Sequence, residues 1–134
     1  MLKRILCATL ASGALVLSGS AAAQELKIAL IAGKTGPLEA YAKDTENDFM
    51  LGLEYLTNGT MALNGRKIRV IVKDDQLKPD LGKAMLAEAY ADDKVDIAVG
   101  TTSSGVALAM LPVAEEYKKV LIVEPAVADA ITGE

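Results

Sequence analysis

Asp96-Ile97-Ala98-Val99-Gly100-Thr101-Thr102-Ser103-Ser104-Gly105 is the stretch on which the reading of the fold turns. Residues typical of a buried strand run into a glycine and four hydroxyl side chains, and a helix-forming segment follows. A strand, a hydroxyl-rich turn and a helix start aim several donors at one place. These are the serine hydroxyls and the free backbone N–H groups of the first helical turn, at the positive end of the helix dipole. Such a turn is either a plain helix cap, with Ser103 or Ser104 as the N-cap, or a cradle for an anion. The other loops at the same end of the sheet decide between the two.

Outward from that stretch, Leu26 to Ala32 is a short apolar run closed by Gly33, the pattern of a largely buried strand. Gly33-Lys34-Thr35-Gly36-Pro37 opens a loop that carries Tyr41. From about Ala42 to Thr57, Phe49, Leu53 and Leu56 recur at helical spacing, acids crowd the N-terminal end, and Asn58-Gly59 supplies the C-cap. Met61 to Leu63, Asn64-Gly65 and Arg66 onward predict a hairpin with a two-residue turn. A second main strand, Ile68 to Val72, ends in Lys73-Asp74-Asp75, and Pro79 opens a helix running to about Asp92. Ile97 to Val99 is the third strand. A helix from Gly105 to about Lys119 follows, with a kink expected near Leu108 to Pro112 because proline removes one helical hydrogen bond. Val120 to Val123, stopped at Pro125, is the fourth.

Alternating strands and helices predict an α/β fold: a doubly wound parallel sheet between two helical layers. In such sheets ligands sit at the carboxyl ends of the strands, beside the point where strand order reverses. Those ends carry Gly33 to Tyr41, Asp74 to Gln76, Gly100 to Ser104 and Pro125 to Asp129, four loops on one rim. The hydroxyl turn thereby gains weight as a binding element.

Lys3 and Arg4, the apolar run Ile5 to Leu17 and Ala21-Ala22-Ala23 have the form of a cleavable export signal over residues 1–23. The apolar run is shorter than the roughly 20 residues that span a bilayer. Cys7, the single cysteine, lies inside it, so no disulfide is expected after cleavage. The 14 basic and 18 acidic residues give a net charge of −4, and two of the basic ones fall in the leader. The remaining surface is more acidic still, which argues against a nucleic-acid partner.

The absence of histidine removes a Ser-His-Asp arrangement and an ordinary zinc site. Ser103 is not in a G-x-S-x-G elbow, since position 101 is Thr, and Gly33-Lys34-Thr35-Gly36 lacks the spacing of a phosphate loop. Asp74 and Asp75 fit a solvated turn or, alternatively, a metal-binding or hydrolytic site on a flavodoxin-like domain. Tyr41 fits either packing at the helix start or a ring laid over a ligand. No cofactor and no metal are expected.

Five blocks carry a resemblance: Ile28-Ala-Leu-Ile-Ala; Thr35-Gly36-Pro37 with Tyr41; Asn64-Gly65-Arg66 before a strand ending in Asp74-Asp75; Gly100-Thr-Thr102-Ser103-Ser104; and Leu108-Ala109 with Pro112-Val-Ala-Glu-Glu116. In order and spacing the chain resembles periplasmic substrate-binding proteins of the branched-chain amino acid type, which serve ABC importers. The resemblance implies a type I periplasmic-binding-protein fold, with residues 24–134 as an incomplete N-terminal lobe. It implies a small carboxylate ligand, a membrane permease as partner, a periplasmic location and no enzymatic activity. From such a partial lobe, exposed apolar surface, poor binding in isolation and aggregation are expected. A receptor-type ligand-binding domain of the same fold is the other alternative.

The family's ligand-binding serine and helix N-terminus map onto Ser103 or Ser104, next to Thr102, and these hold a carboxylate. The family's backbone carbonyl for an α-ammonium group matches Ala126. The threonine that assists it is replaced by Ala128, and Tyr41 matches the tyrosine of the first loop. The carboxylate contacts are thus kept while one amine contact is absent, which suits an aromatic or other organic acid as well as an amino acid.

Overall fold

The computed structural model describes residues 24–133; the export signal expected over residues 1–23 lies outside the described residues. The elements are β1 (Leu26–Ala32), α1 (Glu39–Leu56), β2 (Ala62–Leu63), β3 (Arg66–Asp74), α2 (Pro79–Ala91), β4 (Ile97–Gly100), α3 (Ser104–Tyr117) and β5 (Val120–Ile122), followed by a 3₁₀ turn at Asp129–Ile131. Sheet order is β2-β3-β1-β4-β5. β1 pairs in parallel with β3 on one side and β4 on the other, and β4 pairs in parallel with β5. The chain therefore steps outward from β1 to β3, then crosses back over β1 to β4, and strand order reverses at the carboxyl end of β1.

Among the described residues, β2 departs from the parallel sheet by pairing antiparallel with β3. Its turn is the expected one: Asn64 and Gly65 have φ of 50° and 80°, the paired left-handed conformations of a type I′ hairpin.

Alternation along β1 sorts the core into two layers. Ala29 and Ile31 face α2 and α3, packing with Leu86, Ala89, Tyr90, Val106 and Met110. Ile28 and Leu30 face the opposite side with Val99, where Phe49 of α1 covers them. The α2 and α3 helices approach closely at Gly82, where a Cβ would run into Val106. Leu30, Ile31, Leu86 and Met110 are among the fully buried side chains, and each contributes about 1.5–3 kcal/mol through its burial.

The α1 layer is thinner. Phe49 and Leu53 are half-buried, but Leu56, which continues the same periodicity, is 74% exposed, as is much of Leu51 and Tyr55. α1 also starts three residues ahead of the expected Ala42: Glu39 donates its N–H to the Gly36 carbonyl and its carboxylate pairs with Lys43 one turn on. Tyr41 is consequently a helical residue and not a loop residue. α3 continues through Pro112 without interruption. Leu108, four residues before Pro112, is partly exposed, so water can reach the carbonyl that the proline leaves unpaired. The edge strand β5 leaves Val120 and Ile122 at least half exposed, in line with the apolar surface expected of this segment.

Candidate functional site

The first, third and fourth rim loops meet through the hydroxyl turn. Thr102 Oγ1 accepts the Gly33 N–H at 3.2 Å, joining the end of β4 to the end of β1. Ser104 Oγ accepts the N–H groups of both Val127 and Ala128 at 3.2 Å, joining the start of α3 to the loop after β5. Ser103 occupies the N-cap position of α3 with an extended backbone, yet its side chain makes no capping hydrogen bond. Ser103 is thus the N-cap residue by position, as one of the two readings expected, but without a side-chain capping bond, while Ser104 stitches two loops together. The first helical hydrogen bond runs from Ala107 to the Ser103 carbonyl, and Gly105 in between is exposed. The N–H groups of the first turn and the Ser103 hydroxyl together form a donor set for an anionic oxygen.

The acidic pair splits into two roles: Asp74 sits at a partly exposed turn, as expected, and Asp75 does not. Asp74 accepts the N–H groups of Lys34 (2.8 Å) and Gln76 (3.0 Å) and the Thr35 hydroxyl (3.0 Å). Partial burial pushes its pKa upward, but these hydrogen bonds outweigh that and hold its carboxyl below the usual value. Asp75 is fully buried; Oδ1 accepts the Leu77 N–H at 2.8 Å and Oδ2 the Thr101 hydroxyl. Both carboxylates are occupied in shaping loops. Among the described residues no cluster of three or more His, Cys, Asp or Glu suits a metal ion.

Tyr41 lies apart from the serines. It lines a cleft of about 490 Å³ between α1 and the ends of β4 and β5, with Phe49, Val99, Ile122, Pro125 and the acids Asp44, Asp48 and Glu124. Three carboxylates around an apolar floor disfavour an anion in this cleft. Ala126 and Ala128 line a second hollow, of about 380 Å³, against α3 and β5. The structure therefore brings Thr102, Ser104 and Ala128 into one hydrogen-bonded rim, with Ser103 and Ala126 beside it, and leaves Tyr41 on the α1 side. Sequence reasoning missed Thr101, whose buried hydroxyl bonds Asp75; its position in the hydroxyl turn was the available signal.

The profile of a known family, described as periplasmic binding protein, matches residues 25–134. The chain belongs to the periplasmic binding protein family. An ABC-type branched-chain amino acid transporter protein of Rhodopseudomonas palustris is 75% identical, with a TM-score of 0.81 over 82% of this chain and 30% of its own. A solute-binding protein of an ABC transporter from the same species, solved with 3,4-dihydroxybenzoic acid, is 33% identical, with a TM-score of 0.74 over 81% of this chain and 29% of its own. Another from that species, solved with benzoate, is 29% identical, with a TM-score of 0.73 over 81% of this chain and 29% of its own. This family member thus spans about 30% of the length of the relatives it matches. A comparison with curated proteins found no match. Among the described residues no helix is long and apolar enough to cross a membrane.

Proposed function

We propose that the protein is an exported, non-enzymatic solute-binding protein that takes a small carboxylate in the periplasm and delivers it to an ABC permease in the membrane. On this reading residues 1–23 are the export signal and residues 24–134 contribute the N-terminal lobe. The observation that carries it is the Ser103 hydroxyl, free of any capping bond at the N-terminus of α3 and at the switch point of the sheet. Ser103 and the N–H groups of the first turn take one carboxylate, and Ser104 and Thr102 hold the neighbouring loops in place.

The ligand classes follow from the relatives and from Ala128. One relative belongs to a branched-chain amino acid transporter, and two hold benzoate-type acids. Alanine at 128 offers no hydroxyl to an ammonium group, and a buried ammonium short of one acceptor is costly. An aromatic acid leaves nothing unsatisfied there, which favours benzoate-type ligands. Titration calorimetry at the full encoded length against benzoate, 4-hydroxybenzoate, L-leucine, L-isoleucine and L-valine tests the reading. Tight binding of at least one acid is expected, and no heat with any of them would overturn the ligand class.

A further inference from the structure

Asp75 and Thr101 sit at the ends of β3 and β4, strands that are not neighbours: β1 lies between them. Their side chains nevertheless meet, so the bond arches over the carboxyl end of β1, where Gly33 follows. A Cβ on Gly33 would collide with the Leu77 side chain and stand in van der Waals contact with Asp75 Oδ1, so the chain is closely packed beneath the arch. Asp75 is also fixed through its backbone, its N–H donating to the Ala32 carbonyl (3.1 Å) and its carbonyl accepting from Lys78 (2.9 Å). Gly100, with φ of 148°, packs against the Ile31 backbone so tightly that any Cβ would overlap it. Four consecutive residues, Gly100 to Ser103, thus run from a strand with no freedom, through two buried threonines anchored on neighbouring loops, to the free serine.

We infer that the buried Asp75 carboxylate is a positioning residue for ligand binding, acting through Thr101 to fix the turn that presents Ser103. This deepens the reading of Ser103 as the carboxylate donor and rests on it. A fully buried acid is costly to keep unless its oxygens are hydrogen-bonded, as both are here. Its two oxygens serve the Leu77 N–H and the Thr101 hydroxyl, so one planar group ties the loop after β3 to the turn after β4. With Thr101 fixed, the Thr102 hydroxyl meets Gly33, and the next residue, Ser103, begins the helix. Asp75 itself touches no ligand, because no surface of it is exposed.

The test compares D75A, D75N and T101V with the parent at full encoded length, using benzoate and L-isoleucine as probes. D75A leaves the Thr101 hydroxyl and Leu77 N–H unpaired and is expected to weaken binding of the bound probe by about tenfold or more. In D75N the amide oxygen still accepts from Leu77 and its NH2 donates to Thr101, so most of the lost affinity returns. T101V, which keeps the shape but not the hydroxyl, behaves like D75A and replaces it if D75A does not fold. Hydrogen exchange of the unliganded protein, read at Gly33, Ser103 and Ser104 against the β1 core, separates positioning from global stability. Faster exchange confined to the rim supports the inference. Unchanged affinity in the folded variants, or exchange accelerated equally throughout, overturns it. If the parent binds neither probe, the ligand reading fails, and the exchange measurement still decides whether Asp75 fixes the rim.

Discussion

Ser104 and Ala128 are joined by a hydrogen bond across the rim, the Ala128 N–H donating to Ser104 Oγ at 3.2 Å, with Val127 donating to the same oxygen. One of the two adjacent serines is therefore spent on architecture, and its neighbour Ser103 remains available. Two chemically identical side chains thus differ in their bonding: Ser104 is tied to the loop after β5, and Ser103 makes no capping bond at the helix start.

That difference separates two substitutions. S103A removes a donor to a ligand carboxylate, a charged acceptor worth about 1.5–3 kcal/mol, so binding weakens by roughly tenfold or more while the urea midpoint stays near that of the parent. S104A frees two N–H groups and costs on the order of 1 kcal/mol of stability, with a smaller and indirect effect on affinity. Calorimetry and urea unfolding on both variants check this. A variant S104A that lost binding with unchanged stability would reverse the assignment.

The sheet, its order of elements and the hairpin at Asn64-Gly65 were legible in the sequence, because apolar runs, glycine and proline punctuate them directly. The rim was legible as four loops but not as a network. The split between Ser103 and Ser104 depends on where the helix begins to within one residue, which spacing does not fix. Likewise an acid at a strand end looks solvated in sequence, and only the approach of Thr101 over Gly33 shows Asp75 to be buried. Leu56 carried the right period but lies beyond the part of α1 that reaches the sheet.

Asp74 links the fold to pH. Partial burial pushes its pKa upward, but hydrogen bonds from Gln76, Thr35 and Lys34 outweigh it and hold the carboxyl below its ordinary value in the folded protein. The lower folded value means that its contribution is fully present above the unfolded value and is lost as pH falls through the folded one. Stability measured by urea unfolding should therefore fall more steeply below pH 4 in the parent than in D74N. At pH 7 D74N should be the less stable of the two. Parallel acid profiles would show that the three hydrogen bonds contribute nothing net.

Lys73 gives the opposite sign at the alkaline end. Burial alone would lower its pKa, but Asp93 at 2.9 Å and Glu88 at 3.0 Å outweigh that and hold it above 10.5. A raised folded value contributes stability that is present below the unfolded pKa and is lost as pH rises through the folded one. K73M should accordingly remove part of the stability loss seen above pH 10, measured by thermal unfolding across the alkaline range.

The backbone approaches at Gly33 and Gly100 predict unequal costs for the same small change. In G33A the new methyl meets Cδ2 and Cγ of the Leu77 side chain, which must shift but is not main chain. In G100A it meets the Ile31 main chain at a backbone conformation that L residues rarely adopt. G100A should cost several kcal/mol, about 3 or more, and G33A distinctly less, as read by urea unfolding. Equal losses would mean that Leu77 is as immobile as backbone.

Ala128 offers the sharpest control over ligand class. In the resemblance to branched-chain amino acid binding proteins, this position holds a threonine whose hydroxyl serves the α-ammonium group. The backbone here is already anchored, since the Ala128 N–H is held by Ser104, and the residue is half-buried beside Ala126. A128T therefore adds a hydroxyl at a fixed place without asking the loop to move. If the ligand is a benzoate-type acid, the added polar group finds no partner on it, and affinity for benzoate falls. Affinity for L-isoleucine or L-leucine should rise, shifting the ratio of the two dissociation constants by about tenfold, the effect of gaining or losing one buried hydrogen bond to a charged group. Paired titrations of parent and A128T with benzoate and L-isoleucine measure that ratio. A ratio that does not move would place the ammonium site elsewhere than beside Ala126 and Ala128, and would remove residue 128 from the determinants of specificity.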